Sequence, residues 1–169
     1  MKNDFKLIVA VDDNGCIGFE KSLPFKLKED LKIFKAKTIN NIVIMGRKTF
    51  ESFGSRPLPN RDHYILSRTM PEGLLMENVY VYNSIDNLMN DLSLTDKEKW
   101  VIGGAEIYNL FYDFVEEFHV THINESTDKC DTYFKLDYSN LIADNSTYMI
   151  MLDEKTNINY EIMKYTKIK

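Results

Sequence analysis

Residues 27–50, LKEDLKIFKAKTINNIVIMGRKTF, hold a helical pattern followed directly by a strand pattern. At 100° per residue from Leu27, an apolar stripe forms on one face of a helix and includes Phe34. Asp30 falls inside that stripe, where an unpaired charge is costly. Ile42–Met45 is then a continuous apolar run, typical of a strand buried on both faces. The stretch predicts a helix with a carboxylate on its apolar face, followed by a central strand.

Two interpretations of Asp30 stay open at this level. It is either a boundary residue solvated at the edge of the stripe, or a buried carboxylate with a dedicated partner or a shifted pKa. Lys37 is near it in angle, but a lysine at a helix end can extend its amine into solvent.

The same alternation of strands and helices continues along the chain. Apolar runs predict strands at residues 7–11, 42–45, 64–66, 79–82, 100–102 and 118–123, and helical patterns fall at residues 27–37, 49–53, 85–92 and 105–111. Such repetition indicates a mostly parallel sheet covered on both faces. Residues 148–152 and 158–165 predict a closing antiparallel hairpin. We therefore expect an α/β fold with one domain over residues 1–169, a mostly parallel sheet of about eight strands, flanking helices and a C-terminal antiparallel hairpin.

Composition narrows the class of protein. The chain has 169 residues, 44% hydrophobic and 28% charged, which is typical of a soluble globular domain. A net charge of -5 argues against a nucleic-acid partner, whose binding surfaces are basic. The apolar run from Leu7 to Val11 is too short for a signal peptide or a membrane span. We expect a cytoplasmic protein that binds neither nucleic acid nor membrane.

Cysteine and histidine positions predict no metal or redox site. Cys16 and Cys130 are too few and too far apart in sequence for a disulfide framework or a C-x-x-C motif, and both are expected to be free thiols. His119 and His122 lie three apart in a predicted strand, so they point to opposite faces and cannot chelate one ion.

Glycine and cationic residues follow three of the predicted strands. These groups are Gly46-Arg47-Lys48-Thr49, Ser67-Arg68 and Gly103-Gly104-Ala105. Ligands of open α/β sheets bind beyond the carboxyl ends of strands, where glycine permits close approach and helix N-termini offer free N–H groups to anions. None of the groups is a G-x-G-x-x-G or P-loop motif. Each alone could be a plain turn or a surface charge, but together they predict a phosphate-bearing ligand.

Several motifs occur in an order that resembles the dihydrofolate reductase family. They are Leu23-Pro24-Phe25 with Asp30 and Phe34, Val43–Phe50, Arg56–Arg61, Ile65–Arg68 and Val101–Tyr108. The resemblance extends from about Lys6 to Phe134. It implies a dihydrofolate-reductase-like fold and an NADPH-dependent oxidoreductase that reduces 7,8-dihydrofolate to tetrahydrofolate for one-carbon and thymidylate metabolism. It further implies a monomer whose partner is this small-molecule substrate.

The resemblance also implies roles for individual residues. Asp30 binds the pteridine ring, Thr121 shares a hydrogen bond with it, and Phe25 stands at the place of the family's usual Trp. Expected substrate contacts are Ile8, Ala10, Leu31, Phe34, Phe53, Leu58, Arg61 and Ile102. Expected cofactor contacts are Ala10, Ile17, Gly18, Ser22, Leu23, Gly46, Arg47, Lys48, Thr49, Ser67, Arg68, Gly103, Gly104, Ala105, Glu106, Ile107 and Tyr108, with a cis Gly103-Gly104 bond.

Three departures from the family pattern accompany the resemblance. Phe25 lacks the indole N–H that would hold an active-site water. Asn60 replaces a glycine and is among the few residues that accept positive φ. Ser55 looks like an insertion. Two other functions remain open: a reductase of the same fold that acts on another pterin or a pyrimidine, and a catalytically silent nucleotide-binding subunit.

Overall fold

Strands and helices alternate in the computed structural model, which describes residues 4–169. The strands are β1 (Phe5–Val11), β2 (Cys16–Gly18), β3 (Ile42–Gly46), β4 (Asp62–Leu66), β5 (Gly73–Met76), β6 (Val79–Tyr82), β7 (Lys99–Gly103), β8 (Val115–Ile123), β9 (Thr132–Tyr133), β10 (Leu141–Asp153) and β11 (Ile158–Lys167). The helices are α1 (Lys28–Thr38), α2 (Arg47–Ser52), α3 (Ile85–Leu92) and α4 (Ala105–Phe111). No helix within residues 4–169 is long and apolar enough to cross a membrane.

Nine strands form one sheet in the order β10-β11-β8-β1-β7-β3-β4-β6-β5. All pairs from β8 to β6 are parallel, whereas β10, β11 and β5 run antiparallel to their neighbours. The expected α/β class, mostly parallel sheet and C-terminal hairpin are confirmed. The expected strand count of about eight is one short, because the edge strand β5 is fully exposed and carries no burial pattern.

The two faces of the sheet are packed differently. One face has a single large hydrophobic cluster, to which α3 contributes Leu88 and Leu92 and α4 contributes Phe111. The other face has two separate clusters, one containing Phe50 of α2 and one containing Leu27 at the start of α1. Within α1 itself only Thr38 is fully buried. The hydrophobic packing below α1 and α2 is therefore interrupted between these two clusters, and this gap is called the cleft.

The two cysteines form a disulfide, with Cα atoms 6.0 Å apart. The expectation of free thiols was wrong. Cys16 begins β2 and Cys130 lies two residues before β9, and these two short strands pair with each other. The two cysteines are thus adjacent in the fold although 114 residues separate them in sequence.

Candidate active site

Asp30 has a dedicated partner across the cleft. It lies in the first turn of α1, and the Thr121 hydroxyl on β8 donates a hydrogen bond of 2.6 Å to its Oδ1. Burial raises the pKa of Asp30, while the Thr121 hydrogen bond and the positive charge of Lys37 oppose that rise. Of the two interpretations left open by the sequence, the structure supports the partnered carboxylate.

Apolar side chains line the cleft on both sides of this carboxylate. Ile8, Phe53 and Ile102 pack against the cluster that contains Phe50, and Ala10 and Phe25 pack against the cluster that contains Leu27. Along the sheet, Ala10 pairs directly with Thr121. From α1, Phe34 is half-buried and Leu31 is 44% exposed. The cleft therefore places the Asp30 carboxylate between apolar walls.

Arg61 is buried near the end of α1. Its Nη1 donates to the Thr38 hydroxyl at 3.2 Å and its Nε donates to the Pro59 carbonyl at 3.0 Å. Burial lowers the pKa of Arg61, and no carboxylate among the described residues offsets this. Because arginine stays protonated in proteins, the site keeps a buried positive charge that no carboxylate of residues 4–169 pairs with.

His63, which the sequence argument did not single out, organises the loop that carries Leu58 and Arg61. Its Nε2 accepts the Leu58 N–H at 2.8 Å, and its Nδ1 lies 3.1 Å from the Arg61 carbonyl oxygen. Accepting the Leu58 N–H requires an unprotonated Nε2, and burial, which lowers the pKa of His63, favours this neutral ring with a donor at Nδ1. Asn60 has φ of 59°, the conformation that asparagine tolerates.

The groups after β3, β4 and β7 meet at one edge of the sheet. These strands are adjacent and parallel, so their carboxyl ends lie together. The Gly103-Gly104 peptide bond is cis, as the resemblance implied. A Cβ on Gly104 would have only the Thr49 hydroxyl oxygen nearby, at 3.8 Å. Glycine thus leaves an open cradle between the start of α2, with Lys48, and the start of α4 at Ala105.

Two guanidinium groups flank this cradle, each paired with a carboxylate. Arg47 bonds Glu51 one turn later in α2, and Glu51 also lies 3.2 Å from the Lys21 amine. Arg68 pairs with Glu106 of α4 at 3.2 Å, and both side chains are largely exposed. Glu51 was missed by the sequence argument, although its spacing of four residues from Arg47 on a helix was an available signal.

Three of the expected cofactor contacts have their side chains in the interior. Ile107 and Tyr108 belong to the large cluster on the opposite face. The Tyr108 hydroxyl lies 2.7 Å from the Ile8 carbonyl oxygen and 2.9 Å from that of Ile102. Ser67 is also buried, and its hydroxyl accepts the Met70 N–H at 3.2 Å. These three side chains are buried beneath the edge of the sheet, where they pack in the core or bond to the backbone.

The segment from Cys16 to Ser22, followed by Leu23, lies beside β9. Gly18 pairs with Thr132, and a single bridge joins Phe19 to Ser22. The Asp131 carboxylate accepts the Glu20 N–H at 2.8 Å. Ile17 packs against the large cluster, whereas Leu23 is 44% exposed. The disulfide and the packing of Ile17 therefore hold the start of this segment, and short pairing and exposed polar contacts hold the rest.

A model of the family described as dihydrofolate reductase matches residues 4–167. The chain belongs to the dihydrofolate reductase family. Dihydrofolate reductase of Bacillus subtilis is 34% identical over 95% of this chain and 92% of its own length. The bifunctional dihydrofolate reductase-thymidylate synthase of Paramecium tetraurelia is 36% identical over 93% of this chain, which spans only 34% of that protein.

A solved dihydrofolate reductase has the same fold. The enzyme from Enterococcus faecalis, complexed with NADP(H) and RAB-propyl, aligns with a TM-score of 0.87 at 30% identity, over 100% of this chain and 99% of that one. The family resemblance drawn from the motifs is thus confirmed over nearly the whole chain, including the C-terminal hairpin that the motifs did not reach.

Proposed function

We propose that this protein is a dihydrofolate reductase, which uses NADPH to reduce 7,8-dihydrofolate to 5,6,7,8-tetrahydrofolate. The observation that carries the proposal is the Asp30 carboxylate, bonded to Thr121 in an apolar cleft beside a glycine-lined sheet edge. When bound, NADPH supplies the hydride that is added to C6 of the substrate.

In this proposal Asp30 and Thr121 bind and orient the pteridine ring. The carboxylate accepts hydrogen bonds from N3 and the 2-amino group, and Thr121 fixes its rotamer. Burial raises the pKa of Asp30 toward the operating pH, which favours proton delivery to N5 through water. The apolar walls exclude bulk water, and Leu31 and Phe34 of α1 flank the ring system.

Arg61 is proposed to bind the glutamate carboxylate of the substrate. Its buried charge has no acidic partner among residues 4–169, so an incoming carboxylate would supply the missing counter-ion. A planar guanidinium matches a carboxylate in a two-pronged geometry. The bonds to Thr38 and Pro59 hold the group in place before the substrate arrives.

The fit to NADPH rests on the edge formed by β3, β4 and β7. The cradle at Gly104 admits a pyrophosphate next to Thr49 and Lys48, and Arg47 and Arg68 carry positive charge for a 2′-phosphate. On binding, the 2′-phosphate would replace Glu51 as the partner of Arg47 and Glu106 as the partner of Arg68, so both arginines would keep a negatively charged partner. Ala10, Ile17, Gly18 and Ser22 are proposed to border the nicotinamide.

The same proposal covers the organisation of the protein. Residues 1–169 would form one dihydrofolate-reductase-like domain that acts as a monomer in the cytoplasm, and its product would feed one-carbon and thymidylate metabolism.

The test is the loss of absorbance at 340 nm with NADPH and dihydrofolate, repeated with NADH and with a diaminopyrimidine inhibitor. Inhibitor-sensitive oxidation that needs dihydrofolate supports the proposal. Activity only with another pterin or a pyrimidine would favour the alternative reductase. Binding of NADPH without turnover of any of these substrates would indicate a silent nucleotide-binding subunit.

A further inference from the structure

The only two cysteines of the chain are joined at the base of one surface segment. This segment, Cys16–Ser22, contains β2 and leads into Leu23. Cys16 is fully buried, whereas Cys130 is half-buried. The disulfide therefore attaches the start of the segment covalently to the chain that leads into β9.

At its start the segment is also held by the packing of Ile17 and by a buried hydrogen bond of 2.8 Å from the Cys16 N–H to the Asp12 carboxylate. Its remaining attachments are short or exposed. β2 has three residues and β9 has two, and strand pairs this short are marginal in water. The Glu20–Asp131 hydrogen bond is exposed, and the Lys21 side chain that reaches Glu51 is 61% exposed. Exposed ion pairs contribute little to stability. The disulfide is therefore the strongest tie that the segment has to β9.

We propose that the redox state of the Cys16–Cys130 pair sets how firmly the Cys16–Ser22 segment is held, and thereby how fast NADPH binds and leaves. The proposal rests on the proposed function, in which Ile17, Gly18 and Ser22 border the nicotinamide. The oxidised protein holds the segment against β9 and exchanges the cofactor slowly. The reduced protein keeps the packing of Ile17 and the Cys16–Asp12 hydrogen bond at the start of the segment. Beyond Ile17 it keeps only the short pairing and the exposed contacts, so that part opens more often.

The chemistry is thiol–disulfide exchange with a small thiol such as glutathione. A thiolate of the small molecule attacks the sulfur of Cys130, the less buried of the two residues, which forms a mixed disulfide and releases the Cys16 thiolate. A second small thiolate then attacks the small-molecule sulfur of the mixed disulfide and releases the Cys130 thiolate. After protonation the products are two protein thiols and one oxidised small disulfide. The reverse sequence transfers two electrons from the protein to the small disulfide. In a reducing compartment such a bond is typically transient and redox-sensing.

The test uses the full-length protein equilibrated with reduced or with oxidised glutathione. Alkylation and intact mass count the free thiols, with two expected in the reduced sample and none in the oxidised one. Amide hydrogen exchange of residues 16–22 is measured without cofactor, and NADPH dissociation by stopped flow. We expect exchange and dissociation each to accelerate at least about tenfold on reduction, since native disulfides commonly stabilise by more than that factor.

Two variants control the experiment. The double variant Cys16→Ser, Cys130→Ser should show fast exchange in both buffers. Asp131→Asn removes the acceptor charge for the Glu20 N–H but leaves the disulfide, so it should raise exchange in both states and retain the redox response. Two alkylated thiols after oxidised glutathione, or equal exchange in both states, would overturn the proposal.

The remaining outcomes separate this proposal from the proposed function. If reduction changes amide hydrogen exchange of residues 16–22 but leaves NADPH dissociation unchanged, the disulfide holds the segment, but the proposed control of cofactor binding is overturned. If both respond but dihydrofolate is not reduced, the redox proposal stands and the assigned substrate fails.

Discussion

The Thr121 hydroxyl on β8 donates a 2.6 Å hydrogen bond to Asp30 on α1, across 91 residues of sequence. The bond favours the ionised carboxylate, while burial favours the neutral one, and burial is the larger effect. The proton affinity of the Asp30 carboxylate therefore depends both on its burial and on the Thr121 hydrogen bond. The carboxylate is held in one orientation and is easier to protonate than an exposed aspartate.

Replacing Asp30 by asparagine should lower turnover by a factor of about 10² or more, in the range usual for acid–base groups. The amide keeps the shape but loses the negative charge that would pair with a protonated pteridine. The measurement is kcat with NADPH and saturating dihydrofolate. The matched control is Glu29→Gln, which neutralises an adjacent exposed carboxylate that pairs with Lys32. Turnover near the wild-type value in Asp30→Asn would remove the residue from the mechanism.

The same substitution should stabilise the cofactor-free protein at neutral pH. Because the pKa of Asp30 is raised above its ordinary value of 3.8, the folded state binds this proton more tightly than the unfolded chain. Its contribution to stability therefore falls as pH rises from the unfolded pKa through the folded pKa. Urea unfolding of both proteins should show a gain for Asp30→Asn that is larger at pH 7 than at pH 4. A gain that is independent of pH would contradict the raised pKa.

Thr121→Val should move the pH profile of the hydride step to higher pH. The hydroxyl lowers the pKa of Asp30, so its removal leaves the effect of burial less opposed. The protonated form then persists further up the pH scale. Single-turnover rates across pH measure the midpoint, and Thr121→Ser, which keeps the hydroxyl, should retain the wild-type profile. A midpoint that stays in place or moves down in Thr121→Val would contradict the assignment.

Arg61→Leu should weaken dihydrofolate binding roughly 10- to 150-fold, the equivalent of about 1.5–3 kcal/mol for a charge-assisted hydrogen bond. The comparison substrate is 7,8-dihydropterin, which lacks the glutamate tail and should be affected far less. Equilibrium fluorescence titration measures both constants. Equal losses for the two ligands would show that the variant disturbs the loop near His63 rather than a carboxylate contact.

NADPH should be preferred over NADH by at least about tenfold, since each charge-assisted bond to the 2′-phosphate contributes about 1.5–3 kcal/mol before screening. Salt should reduce the preference because Arg68 is exposed. The ratio of kcat/KM for the two cofactors measures it. The double variant Arg47→Ala, Arg68→Ala should lose the preference, whereas Lys97→Ala, which removes an exposed cation paired with Asp62, should keep it. An unchanged ratio in the double variant would place the phosphate elsewhere.

Phe25→Trp tests the departure from the usual tryptophan. Phenylalanine offers no donor, but Asp30 and Thr121 lie on the same cleft and can hold an ordered water, which needs two to four polar partners. We therefore expect the variant to keep the wild-type turnover and pH profile, with Phe25→Leu as the control for packing. Faster turnover above pH 7, or a shifted apparent pKa, would show that the water is poorly held in the wild type.

Local pattern predicted most of the elements. The apolar stripe from Leu27 and the run Ile42–Met45 gave α1 and β3 within one residue of their observed bounds, because side-chain periodicity depends only on neighbouring residues. The strand β5 and the first half of β10 were not predicted. All residues of β5 are exposed and no residue in the first half of β10 is buried, so neither carries the alternating burial of a strand. Edge strands are defined by the neighbour they pair with.

The sequence by itself also determined the order of the motifs and the presence of a carboxylate on the apolar face of α1. Only the tertiary structure decided what each site residue contacts. Asp30 meets Thr121 because β8 lies next to β1 in the sheet, and Arg61 meets Thr38 because β4 returns beside β3. Cys16 meets Cys130 because β2 pairs with β9. Distance in sequence sets the entropy of closing a loop, but strand order and register fix which side chains meet after it closes.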